Sequence, residues 1–291
     1  MSLDRPPFGR ALRQRVEGRD LAVLAVVPCV LLAAFLLPVS TRQALAFEYA
    51  DPSLLSAFAS AYVHTTAAHL AVNLLGYLLV GSVTFATTLL CGYRTRLYVA
   101  LFTYLTVFPF LLAGFGLLFV RQGVGLGFSG VLLALYGYLP LALSDFVTEQ
   151  FHLDAERNAA PLLFFLGLGI VTVLGVWPSL SDGTVLLGSA GLVVVIALVL
   201  AWYGLAIIDE DDELRTTLSL AWRASGYAEL FVVALVVFVT FPLAMFPPDI
   251  VPQRTVVDTY THLLAYALGF TATYVASLAS DALADGERAW L

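Results

Sequence analysis

Long apolar stretches alternate with short polar segments along most of the chain. After a polar segment at 1–20, eight apolar stretches follow, near 21–39, 67–90, 97–120, 127–146, 161–177, 185–207, 228–247 and 256–279. Each stretch is close to the ~20 residues that an α-helix needs to cross a ~30 Å hydrocarbon core. The pattern predicts an all-α polytopic membrane protein with about eight transmembrane helices.

The first apolar stretch, 21–39, has two interpretations. It could be a signal peptide, but it is long, and no small-x-small cleavage site precedes Thr41. A retained first helix is therefore favoured. The chain is then divided into an N-terminal segment at 1–20, a transmembrane domain at 21–280 and a C-terminal tail at 281–291.

The composition supports a membrane protein and excludes several other classes. Hydrophobic residues make up 60% of the chain and charged residues only 12%, whereas soluble domains carry about 25% charged residues. All 14 basic residues are arginines, and they form no basic patch beyond the first twenty residues, so nucleic-acid binding is not indicated. Cys29 and Cys91 lie in or beside apolar stretches, where packing is a simpler role than a disulfide or metal site.

The arginines also predict the orientation. With a cytoplasmic amino terminus, eleven arginines face the cytoplasm, and only Arg42, Arg121 and Arg254 lie on the opposite side. Cytoplasmic loops carry the excess of arginine in membrane proteins, so both termini are predicted to be cytoplasmic. The acidic run 209–213 then lies in a cytoplasmic loop as a solvated linker. We expect a multi-pass protein of a prokaryotic cell membrane, with membrane lipid around it.

Three histidines fall near the outer ends of predicted helices, where polar groups are informative because they are costly in a bilayer. His64 lies just before the second helix, His69 near its start, and His262 near the start of the eighth. Asn73 follows His69 by four residues, so the two side chains share one helix face. His152 falls in a predicted cytoplasmic loop as an ordinary surface residue.

A serine in a glycine-rich segment completes a candidate site. Alternate glycines in 123–130 allow a tight turn, and Ser129 is then predicted in the first turn of the fourth helix. Free backbone N–H groups and the helix dipole favour a developing negative charge there. Serine needs a base to become a good nucleophile, and His262 is the natural candidate. His69 and Asn73 could direct hydrogen-bond donors at the oxyanion.

Each element of this site has a simpler explanation. A Gly-x-Ser-Gly segment in a membrane protein is more often a helix-packing motif, because small residues let helices approach closely. His64 and His69 could be a metal pair, but their spacing does not place them on one helix face. No cysteine or acidic ligand stands near them in the sequence, so a metal site is disfavoured. Nothing in the sequence calls for an organic cofactor either.

Taken together, three motifs resemble those of the rhomboid family of intramembrane serine proteases. The first runs from His64 through His69 to Asn73, the second is Gly127-Phe-Ser-Gly130, and the third has His262 followed by Ala265 and Gly269. They stand in family order on the second, fourth and last helices, and the resemblance covers roughly residues 20–280. It implies a rhomboid-like helical bundle with a six-helix core and two extra spans.

The resemblance also implies a role for each matching residue. Ser129 is the nucleophile and His262 the general base, without an acidic third member. His69 and Asn73, with the backbone amide of Ser129, line the oxyanion hole. The supporting residues are a structural histidine, a glycine of the nucleophile turn, and small residues that let the last helix pack on the fourth: His64, Gly127, Gly130, Ala265 and Gly269.

The sequence departs from the family pattern in three places. Two extra spans precede the last helix, and because their number is even, His262 still enters from the same side as Ser129. The Trp-Arg pair of the family's first loop is absent from 40–63. Ala265 stands where the family usually has glycine, and its methyl group could loosen the dyad.

The predicted reaction is peptide-bond hydrolysis through an acyl-enzyme, on transmembrane protein substrates with helix-breaking residues near the outer surface. Activity is expected to fall below the ~6.5 reference pKa of histidine, because a protonated imidazole cannot act as a base. The first alternative is a catalytically inactive rhomboid-like protein that binds membrane clients, although such relatives usually lack the serine or the last histidine. The second is a small transporter or channel, which would more often carry charged residues within several spans.

Overall fold

A computed structural model describes residues 6–119, 123–151, 156–176, 190–201, 226–245 and 259–288. The described residues form twelve α-helices and one two-stranded ribbon. In chain order the elements are α1 (Phe8–Arg15), α2 (Gly18–Phe35), α3 (Val39–Ala44), β1 (Phe47–Glu48), α4 (Leu54–Ala59), a 3-10 turn (Ser60–Tyr62), α5 (Ala67–Cys91), α6 (Arg94–Thr106), α7 (Phe108–Phe119), β2 (Val124–Gly125), α8 (Ser129–Phe151), α9 (Glu156–Val176), α10 (Ala190–Ala201), α11 (Tyr227–Met245) and α12 (Thr259–Arg288).

Five of the described helices are long and apolar enough to cross a membrane, namely α2, α5, α8, α11 and α12. The prediction of an all-α polytopic membrane protein is thus supported. The count of eight spans is not confirmed. The apolar part of α9, Ala159–Gly175, and the whole of α10, Ala190–Ala201, are shorter than the five spanning helices. The predicted span at 97–120 is a pair of helices, α6 and α7, bent by 47°. Pro109 lies in the first turn of α7, where a proline is tolerated but cannot continue a preceding helix.

Helix α8 is the centre of the bundle. In its most apolar 18-residue stretch 94% of the residues are buried, whereas the corresponding share in α2 is 17%, so α2 is peripheral. Helices α5, α9, α11 and α12 all pack against α8. At mid-height, the ring of Tyr136 lies 5.0 Å from that of Tyr266 and 5.1 Å from that of Phe241. These fully or almost fully buried rings join α8 to α12 and α11.

Small residues bring α8 and α12 into close contact. A Cβ atom added at Gly269 would lie 2.7 Å from Ala134 Cα and closer still to its carbonyl oxygen. One added at Gly137 would lie 2.9 Å from the backbone nitrogen of Phe270. Ala265 is completely buried in the same interface. The two backbones therefore approach to a distance that only small side chains allow.

Tyrosine hydroxyls connect neighbouring helices in the apolar core. Tyr136 donates to the carbonyl oxygen of Phe238 at 2.7 Å, Tyr266 to that of Phe164 at 2.9 Å, and Tyr104 to that of Gly269 at 2.6 Å. Buried hydroxyls need such partners, because an unpaired polar group in an apolar interior is costly. The second member of each pair is a main-chain oxygen, so the contacts join α8 to α11, α12 to α9 and α6 to α12 without added charge.

Two ion-pair clusters lie at the end of the bundle where α1 packs. Arg94 joins Asp20 at 3.0 Å and Glu17 at 2.8 Å, and so ties the start of α6 to the start of α2. Arg96 pairs with the buried Asp145 near the end of α8 and also donates to Ser277 Oγ on α12 at 3.3 Å. The later part of α12 is therefore on the same side as α1, and the starts of α8 and α12 are on the other side.

Candidate functional site

The starts of α8 and α12 meet at one point of the bundle. His262 Nε2 lies 2.7 Å from Ser129 Oγ, which is hydrogen-bonding distance. Ser129 is the first residue of α8, as predicted, and His262 lies in the first turn of α12. His262 is buried and Ser129 is half-buried. The structure thus brings together the two side chains that the motifs predicted as nucleophile and base.

The turn before α8 is held on both of its sides. Gly127 adopts a φ of +111°, which favours glycine, and its N–H donates to the carbonyl of Ser60 at 2.8 Å. Phe128 is buried, with its ring 6.0 Å from both Tyr62 and Tyr77. The carbonyl of Phe128 accepts the first hydrogen bond of α8, from Leu132 N–H at 2.9 Å. Ser129 therefore stands at the start of a helix whose position is fixed, and the first backbone N–H groups of such a helix have no intrahelical acceptor.

His64 supports this turn from the opposite side. Its Nε2 accepts the N–H of Phe128 at 3.3 Å, and its ring lies 4.8 Å from that of His69 in an edge-to-face arrangement. Burial, with smaller effects of His69 and Arg42, lowers the pKa of His64 to about 4. The neutral ring is the form that can accept a backbone N–H. The structural role predicted for His64 therefore corresponds to its hydrogen bond with Phe128, the residue before Ser129.

His69 packs directly against the glycine of the turn. A Cβ at Gly127 would lie 2.6 Å from His69 Cε1, so the histidine ring occupies the space that any other residue would fill. Asn73 is buried one turn further along α5 and donates from Nδ2 to the carbonyl of His69 at 2.9 Å. Asn73 Oδ1 accepts no hydrogen bond from the described residues. The structure places His69 at the turn, whereas Asn73 makes no hydrogen bond to a described group of α8 in this arrangement.

The predicted small residues divide between two neighbours. Ala265 and Gly269 lie in the interface of α12 with α8, where Gly269 faces Ala134 as expected. Gly130 faces elsewhere, because a Cβ added there would lie 2.8 Å from Leu112 Cδ1 of α7. Its small size therefore makes room for α7 rather than for α12. His152 and the acidic run 209–213 lie outside the described residues.

Arg42 is a buried residue of the site that the sequence reasoning missed. It donates to the carbonyl oxygens of Leu37 at 3.2 Å, Thr65 at 3.3 Å and His64, and it lies 4.4 Å above the ring of Phe35. It thus holds the main chain of the histidine that supports the turn. The available signal was that Arg42 is one of few arginines on the side opposite the N-terminal cluster, where a positive charge is less expected.

A short ribbon also connects the first loop with the segment before Ser129. Phe47 pairs with Gly125 and Glu48 with Val124 in antiparallel register, and Tyr49 N–H donates to the carbonyl of Gly123 at 3.3 Å. With only two residues in each strand, no alternation of polar and apolar positions could predict it. The ribbon fixes the start of the glycine-rich segment, so the turn before Ser129 is anchored at both ends.

The chemistry available here is that of a hydroxyl activated by an imidazole beside free helix-start amides. Among the described residues, no group of three or more His, Cys, Asp or Glu side chains could hold a metal ion. No protein-family model, curated protein or solved structure matches the chain.

Proposed function

We propose that this protein is an intramembrane serine protease of the rhomboid type, with Ser129 as nucleophile and His262 as general base. The observation that carries the proposal is the 2.7 Å contact between Ser129 Oγ and His262 Nε2 at the starts of two membrane-spanning helices. A pair in this geometry matches the need of a serine for an adjacent base. The glycine turn and the helix start around it supply the remaining parts of an acyl-transfer site.

The first chemical step transfers the Ser129 proton to His262 Nε2 as Oγ attacks the carbonyl carbon of the scissile peptide bond. The tetrahedral intermediate then collapses, and His262 gives that proton to the leaving amine. Water, deprotonated by the same imidazole, attacks the acyl-enzyme carbonyl carbon. The bond to Oγ then breaks, the imidazolium returns the proton to Ser129 Oγ, and the released carboxylic acid ionises in water. His262 thus takes up and returns one proton in each half of the reaction.

The oxyanion that forms during this reaction needs donors directed at it. The backbone N–H of Ser129 stands at the first position of α8, where no intrahelical acceptor exists for it. His69 reaches the same turn through its contact with Gly127. Asn73 has a second amide hydrogen besides the one donated to His69, and we propose that it rotates to this role when substrate is bound. One such donor commonly contributes a rate factor of about 10²–10³.

The arrangement of spans supports the rhomboid assignment. The five spanning helices and the bent pair α6–α7 give up to six spans, and α9 and α10 would be the two additional segments. In this assignment α11, which packs on α5 and α8, takes the place of the fifth core helix. We further propose that α1 and the later part of α12 face the cytoplasm of a prokaryotic cell. The substrates are then transmembrane proteins that unwind near the outer surface.

Cleavage of a reporter with a single transmembrane helix, reconstituted together with the protein, tests the proposal. Ser129→Ala and His262→Ala are expected to abolish cleavage. Ser144→Ala is the matched control, because it changes a buried serine of the same helix far from the site. A wild-type protein that binds the reporter without cutting it would indicate the inactive, client-binding alternative. Cleavage by Ser129→Ala would refute the proposed nucleophile.

A further inference from the structure

Helix α1 is amphipathic and is docked by its apolar side. The ring of Phe8 lies 5.3 Å from that of Tyr227 at the start of α11, and a Cβ at Gly226 would lie 2.5 Å from Phe8 Cγ. Ala11 is buried in the same cluster, which includes Leu90 near the end of α5. Helix α1 is therefore held against the ends of the spanning helices.

Three arginines of α1 are exposed, Arg10, Arg13 and Arg15. Arg10 and Arg13 lie on the helix face opposite Ala11, whereas Arg15 follows Ala11 by four residues and extends towards Gly92 at the end of α5. Among the described residues, the acids closest in sequence are Glu17 and Asp20, and both are already paired. Glu17 pairs with Arg19 at 2.7 Å and with Arg94 at 2.8 Å, and Asp20 pairs with Arg94 at 3.0 Å. None of the three arginines forms an ion pair with any residue in the part of the chain that the structure describes. The charges of Arg10 and Arg13, on the face away from the bundle, are thus available to an external anion.

The position of α1 along the bundle places these arginines at a membrane surface. Helix α2 has 18 residues and a length of about 27 Å, close to the ~30 Å hydrocarbon core. It begins at Gly18, so the core boundary lies near that residue. Helix α1 ends at Arg15, three positions earlier, and its docking prevents it from extending far from the boundary. The arginines are therefore level with lipid headgroups.

We propose that the exposed face of α1 binds anionic phospholipid headgroups through Arg10 and Arg13. The guanidinium group suits this ligand, because its fork of N–H donors matches phosphate oxygens. A diacyl lipid fits better than a soluble anion, because the headgroup is presented at the height of α1 by the bilayer that surrounds α2. This inference does not depend on the proposed protease activity.

The test titrates the purified full-length protein with short-chain phosphatidylglycerol and, separately, with short-chain phosphatidylcholine. The wild type should bind phosphatidylglycerol more tightly, and the preference should weaken as salt concentration rises. Each arginine near an anionic surface contributes a factor of about five in affinity, so Arg10→Gln and Arg13→Gln together should lower it about 25-fold. The double substitution to lysine keeps the charge and should retain most of the affinity. Arg19→Gln, which removes an arginine already paired with Glu17, should have the smallest effect.

Three results would overturn the proposal. Unchanged phosphatidylglycerol affinity in the glutamine double variant would show that the lipid binds elsewhere. Equal affinity for the two lipids in the wild type would show that charge is not recognised. Displacement of phosphatidylglycerol by an equal concentration of inorganic phosphate would indicate a site for soluble anions. A thermal unfolding curve for each variant identifies any loss of fold, and the lysine variant gives a second reading in that case.

Discussion

Substitution of Gly269 by alanine tests whether the close contact of α8 and α12 sets the Ser129–His262 distance. The new Cβ would lie 2.7 Å from Ala134 Cα, whereas carbon atoms pack at about 3.5 Å or more. The shortfall is about 0.8 Å. The obstacle is main chain of α8, which cannot rotate away as a flexible side chain could, so α12 itself has to move.

The expected displacement is large enough to break the dyad contact. His262 lies seven residues before Gly269 on the same helix, about 10 Å along its axis, so it moves with the contact point. An outward shift of about 0.8 Å would lengthen the 2.7 Å contact to about 3.5 Å, beyond the ~3.2 Å reach of a general base. Misplacement on this scale costs about a hundredfold in rate. Overpacking should also lower the free energy of unfolding by about 1–3 kcal/mol.

The assay is reporter cleavage in vesicles, with Gly114→Ala as the matched control. A Cβ at Gly114 on α7 meets nothing within 4 Å, so this variant makes the same chemical change on a helix without a clash. It should keep full activity and gain about 0.5–1 kcal/mol of stability, because alanine favours the helix over glycine. If Gly269→Ala cleaved the reporter within twofold of the wild type, the contact would not control the dyad and the reasoning would be refuted.

Three further predictions concern buried charge. Arg42→Met removes the donor to three carbonyl oxygens and should lower the free energy of unfolding by about 2–3 kcal/mol. The control Arg19→Met, at an exposed position, should change it by less than about 0.5 kcal/mol, and equal effects of the two substitutions would contradict the buried role of Arg42. The pKa of His64, lowered to about 4, means that only the unfolded chain binds this proton between about pH 6.5 and 4. The free energy of unfolding should therefore fall by about 3 kcal/mol as the pH drops from about 6.5 to 4. This contribution of His64 is complete above pH 6.5, and the unfolding curves of His64→Gln should lack the pH dependence that it causes. Asp145→Asn leaves Arg96 without its carboxylate and should cost about 3–5 kcal/mol, with partial recovery in a double variant that also carries Arg96→Met; no recovery would contradict the pairing.

Much of the fold follows from hydropathy alone, because a spanning helix must be apolar over most of its length. The segments that became α2, α5, α8, α11 and α12 were predicted for this reason. Span number was harder, because a helix of borderline length such as α9 has the same composition as a true span. The bend between α6 and α7 depends on a single proline within an otherwise continuous apolar stretch, and hydropathy does not detect it.

The predicted meeting of Ser129 and His262 rested on the parity of the spans and on the motif order. The parity of the spans places both residues at one side of the bundle, and small residues such as Gly269 allow the two helices to approach. The supporting contacts could not be predicted in the same way. Arg42 acts through main-chain carbonyls, which carry no sequence signal, and the direction that Gly130 faces depends on how α7 is bent towards α8.

The most direct measurement is the location of a covalent adduct after treatment of the purified protein with a fluorophosphonate, determined by mass spectrometry of its peptides. A serine activated by an imidazole should react at one place, on the peptide that contains Ser129, and His262→Ala should eliminate the adduct while Ser144→Ala leaves it unchanged. An adduct on another residue, or one that forms equally well without His262, would contradict the dyad on which the proposed function depends.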